Sequence, residues 1–147
     1  MAGNKGRPSS HQEKASSLDW AGRSPLHYAF RERDLNNVRK LILEGHDVNL
    51  ADSKGWTPLH FAAQEHRADV AALLLDSGAF VDPRDSHGNT PLWTAVFNSR
   101  GRGELIKLLR EQGAHPYSEN NYGLSPVYLA RTIGNYDVAQ FFRDLPE

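Results

Sequence analysis

The sequence predicts an all-α fold, a solenoid of four stacked helix-turn-helix repeats of about 33 residues each. Three observations predict it. Gly22, Gly55, Gly88 and Gly123 open the similar stretches GRSPLHYAF, GWTPLHFAA, GNTPLWTAV and GLSPVYLAR, spaced by 33, 33 and 35 residues. Pro25, Pro58, Pro91 and Pro126 keep the same spacing. A second glycine series, Gly45, Gly78 and Gly113, follows each apolar helical run at the same intervals. Independent landmarks sharing one register at such a period mark a repeat architecture.

Each unit reads as helix, turn, helix, loop. Ser24, Thr57, Thr90 and Ser125 supply the capping hydroxyl of a first helix, and the proline after each fits the first helical position, where a missing N–H costs nothing. The first helix runs through small residues such as Ala62 and Ala63, which let neighbouring helices approach closely. The second helix carries Val38, Leu41 and Ile42 in the first unit and Val70, Leu73 and Leu74 in the second. Leu105, Leu108 and Leu109, then Val138, Phe141 and Phe142, keep that helical spacing. Gly45, Gly78 and Gly113 end the second helix as C-terminal caps with positive φ. The loop after it closes on Asp52, Asp85 or Asn120, three residues before the next unit's glycine. The two extra residues of the third interval fall in Asn98–Gly103, a turn-like stretch where an insertion is cheap. The repeats run about 22–54, 55–87, 88–122 and 123–147, and the repeat domain spans 18–147.

Composition narrows the function classes. A net charge of -1 over 147 residues offers no basic face for phosphates. The absence of cysteine excludes disulfides, thiolate metal sites and a cysteine nucleophile. No apolar run approaches the roughly 20 residues that span a bilayer, and residues 1–17 lack the apolar core of a secretory signal. A cytoplasmic protein is the expectation. Residues 1–17 are polar and carry +2 from Lys5, Arg7, Lys14 and Glu13, as expected for a flexible N-terminal tail.

These repeats resemble the ankyrin repeat. Its Thr-Pro-Leu-His helix start is present at Thr57–His60 and, with serine, at Ser24–His27, and its Leu-Leu-x-x-Gly-Ala segment is present at Leu74–Ala79. The resemblance covers about Leu18 to Leu145 and implies an ankyrin solenoid with β-hairpin-like loops. Departures stand out. Trp93 and Tyr128 replace the histidine in the third and fourth units, and Arg33 and His66 replace the glycine between the two helices, which Gly134 keeps. Turns that are either strained or differently shaped are expected at Arg33 and His66. In the last unit Arg143 replaces the apolar residue matching Leu75, as suits a terminal repeat with nothing to cover it.

His27 and His60 at the helix starts are expected to bond the capping residue and a neighbouring loop. His60 and His66 lie six apart across a helix end, outside the zinc spacing of three or four. No serine sits in a Gly-x-Ser-x-Gly elbow, and Gly101-Arg-Gly103 is an incomplete phosphate fingerprint. Catalytic, cofactor and metal residues are therefore not expected.

The resemblance implies instead a protein-protein interaction module, a scaffold or adaptor and a monomer when free, that binds a partner protein on a concave face. The alternative is a dedicated inhibitor or immunity protein that blocks a partner enzyme or toxin. The partner-binding positions carried over by register are Trp20, Arg23, Arg31, Lys54, Trp56, Gln64, His87, Asn89, Phe97, Tyr122 and Leu124. Trp20, Trp56, Phe97 and Tyr122 place one exposed aromatic in each unit. Arg23, Arg31 and Arg33 beside them are expected to pair with acidic groups of the partner.

Overall fold

A computed structural model describes residues 18–147; the expected flexible tail, residues 1–17, lies outside the described residues. All regular structure among the described residues is helical, and no strand occurs there. A 3-10 helix, Pro25–Arg31, is followed by α1 (Leu35–Leu43), α2 (Pro58–Gln64), α3 (Ala68–Asp76), α4 (Pro91–Phe97), α5 (Glu104–Glu111) and α6 (Pro126–Thr132). A second 3-10 helix, Val138–Phe142, ends the array. The four first helices pack against one another in sequence, and the second helices of the first three pairs do likewise behind them. The two 3-10 elements sit at the ends, where a helix has a neighbour on one side only and less packing to stabilise an α-helical ladder.

The first-helix starts follow from their sequence. Ser24, Thr57, Thr90 and Ser125 are extended N-caps whose hydroxyls accept backbone N–H groups of the first turn. Gly45, Gly78 and Gly113 take φ of 94°, 99° and 92°, as the C-cap reading requires. The residue after each donates its N–H to a carbonyl five residues back, for instance Ala79 to Leu74 at 3.0 Å. The core runs the length of the array: Leu26, Leu59 and Leu92 from the first helices, Val38, Val70, Leu74, Leu105 and Leu109 from the second, all fully buried.

The two turns without glycine take different forms, one strained and one differently shaped. His66 is left-handed, with φ 56°, as is Arg100 in the insertion, with φ 52°. Arg33 is not, because Glu32 leaves the first helix in extended conformation and the chain turns without a left-handed residue. His66 is also buried, and among the described residues neither ring nitrogen has a hydrogen-bond partner, although Glu104 lies 3.7 Å from Nε2.

Arg67 ties the first pair to the second. Its guanidinium donates to the Phe30 carbonyl at 2.6 Å and the Glu32 carbonyl at 2.8 Å, while Asp69 holds it in place. These carbonyls end a helix and have no partner within it. Arg67→Ala is expected to lower the unfolding free energy by about 2 kcal/mol, the worth of charge-assisted bonds to part-buried acceptors, read from urea denaturation followed by circular dichroism. An unchanged midpoint would show that water replaces the tie at no cost.

At the other end Arg110 does similar work. It pairs with Asp144 through both guanidinium nitrogens, at 2.7 and 2.8 Å, and donates to the Phe141 carbonyl. Arg143, at the outer position of the last unit, is exposed and pairs with Asp137.

Candidate functional site

The loops that join the repeats are built alike. Asp52 Oδ1 accepts the N–H groups of Lys54 and Trp56, and Asp85 Oδ1 those of His87 and Asn89. Asn120 Oδ1 accepts those of Tyr122 and Leu124. Asp19 does the same for Ala21 and Arg23, a fourth member that the three-residue offset from Gly22 identifies and the sequence reading left out. Each turn then needs a glycine with φ between 75° and 79°. Successive loops are joined by one backbone bond each: Ser53 N–H to Ala21 O, Ser86 N–H to Lys54 O, and Asn121 N–H to His87 O. The turns thus close in hairpin fashion without forming a strand.

The buried histidines complete this frame. His27 Nδ1 accepts the Ser24 N–H, and its Nε2–H donates to the Trp56 carbonyl at 2.9 Å. His60 repeats the pattern with Thr57 and the Asn89 carbonyl. Burial holds both imidazoles below the ordinary histidine range. Trp93, in the third unit, takes the same place without the bridge, and its indole N–H is buried without an acceptor among the described residues. Tyr128 is exposed. His27 and His60 thus make the bonds expected of them, to the capping residue and to a neighbouring loop.

A groove of about 310 Å³ opens between the first three loops and brings together Arg23, Lys54, Trp56, Gln64, His87 and Asn89 of the sequence-derived positions. Tyr122 joins it through its hydroxyl, 3.1 Å from His87 Nδ1. Phe97 stands further along, exposed and stacked on Trp93 at 5.3 Å. Leu124 is half-buried. Trp20 is 95% exposed.

Two expectations are corrected here. Trp56 is not an exposed aromatic: it is half-buried, 4.9 Å from the Phe61 ring and 5.4 Å from His60. Arg23 is not free for a partner's acid, since its Nε donates to Asp52 Oδ2 at 2.9 Å and the guanidinium lies over Phe61. Burial pushes the Asp52 carboxyl up, but Arg23 and the two N–H donors outweigh it and hold the group below the usual carboxylate value. Arg31 lies over Tyr28 and Phe30, without an acidic partner among the described residues.

Sequence reasoning missed the centre of this cluster. Phe61 sits among Tyr28, Phe30, Trp56 and Arg23, stacked on Phe30 at 5.8 Å. Nothing in the repeat pattern marks it, because the matching residue of the next unit is Thr94.

No helix among the described residues is long and apolar enough to cross a membrane. A family model described as ankyrin repeats, in three copies, matches residues 26–120. No curated protein matches the chain.

Proposed function

The chain belongs to the ankyrin-repeat family, whose repeats mediate protein–protein interaction, and from that premise we propose that it is a scaffold or adaptor that grips one partner protein on its loop-lined concave face. One observation carries the reading: Trp56 and Phe61 line a groove whose His87 meets the Tyr122 hydroxyl, and the rings of Tyr122 and Phe97 are 67% and 62% exposed. Large rings left open along one side of a rigid frame are the residues that supply binding energy when a partner desolvates them. The frame itself is fixed by inter-loop bonds and buried histidines, so little ordering entropy opposes docking.

The test uses the full chain as bait in affinity capture with mass spectrometry, against the double variant Phe97→Ala/Tyr122→Ala. Both side chains are exposed, so helical content should stay unchanged while retention of the partner weakens at least tenfold, in line with removal of interface anchors. A partner captured equally well by both proteins would move the interface to another face.

A further inference from the structure

Because the loops repeat one turn, their acidic residues can be compared position by position. Asp52 is fully satisfied: backbone N–H groups fill Oδ1, and Arg23 fills Oδ2. At the start of the array, Asp19 Oδ2 accepts the Tyr28 hydroxyl at 2.6 Å. In the last turn the acid is replaced by Asn120, whose Nδ2 donates to Asn89 Oδ1. Asp85 is the exception. Its Oδ1 holds the N–H groups of His87 and Asn89, but the residue in Arg23's place is Trp56, and Oδ2 takes no hydrogen bond or ion pair among the described residues. Asp85 is only 7% exposed and lines the groove beside Trp56 and Gln64. A carboxylate oxygen left open in a groove is a ready acceptor for a cation or a charged donor.

We propose that this groove is a subsite for an arginine side chain of the partner protein, with Asp85 taking toward it the role that Asp52 takes toward Arg23. The chain carries its own template for the contact, a guanidinium held between a turn carboxylate and an aromatic face. A planar guanidinium suits both surfaces: it pairs with a carboxylate and stacks on an indole. Lys54, exposed at the rim with no ion pair among the described residues, has the charge of the proposed ligand and opposes it. The subsite rests on the concave-face reading above and names the chemistry it selects.

The test titrates the full chain with N-acetyl-argininamide, its neutral isostere N-acetyl-citrullinamide, and N-acetyl-glutamate amide, following the Trp56 indole N–H by NMR. Arginine should shift that resonance saturably and citrulline should not. Asp85→Asn should weaken the arginine response at least tenfold and leave the turn intact, since Asn120 builds the same turn with an amide. Lys54→Ala should tighten it severalfold. An arginine response absent, or equal in Asp85→Asn, overturns the subsite, as does a shift produced by the glutamate probe instead. Any of these would leave the protein-binding face standing, because capture by Phe97 and Tyr122 is read without Asp85.

Discussion

Gly55→Ala should lower the unfolding free energy by roughly 3 kcal/mol. Gly55 has φ +78°, where any other L-residue is strained by about 1–2 kcal/mol. Its added Cβ would also stand 2.9 Å from Asp85 Cα and 3.1 Å from Ser86 N, both backbone atoms of the next loop. Backbone cannot step aside as a side-chain end can, so the second and third loops must separate. That stretches the 2.9 Å bond from Ser86 N–H to Lys54 O. Gly78→Ala is the matched control. It has φ +99° but nothing within 4 Å of the new carbon, so only the strain remains. Urea denaturation of the two variants separates strain from collision, and equal midpoints would remove the collision argument.

Acidification from pH 7.5 to 5.5 should destabilise the fold, in a window above the range where carboxylates titrate. Burial depresses the imidazoles of His27 and His60 below their ordinary value near 6.5. Burial also depresses His66, helped by Arg102 and opposed by Glu104, whose carboxylate lies 3.7 Å away. The unfolded chain binds protons at these histidines once the pH falls below about 6.5, while the folded chain does not. Stability is therefore whole above that pH and declines as pH drops toward the folded-state values, by about 1.4 kcal/mol per pH unit for each imidazole held neutral. The loss has a structural target, since His27 and His60 bridge one repeat to the next loop. A denaturation midpoint that stays flat across this window would mean that the imidazoles accept protons inside the fold.

The period, the capping residues and the glycine caps were legible because each is a local demand of the backbone. A helix start favours a hydroxyl or a carboxylate, and a left-handed position favours glycine, wherever the rest of the chain lies. Departures were legible as departures, although not in their consequences. His66 is strained and Arg33 is not, and the difference lies in how Glu32 leaves its helix. The proposed contact surface was legible by register alone, as a set of positions without their contacts. Arg23 and Lys54 looked alike in the sequence, but one is consumed by Asp52 and the other stands at the rim of the groove.

The sequence by itself determined the repeat, the number of helix pairs, the family and the row of loop positions, since period-33 spacing repeats one local geometry that stacking propagates. Only the tertiary structure decided which charges are spent inside the frame, that Trp56 is half-buried, that Phe61 gathers the aromatic cluster and that Asp85 meets no cation among the described residues. Those outcomes depend on residues some 30 positions apart meeting across neighbouring repeats, where one substitution, tryptophan for arginine at the loop position, changes what the facing carboxylate has to bind.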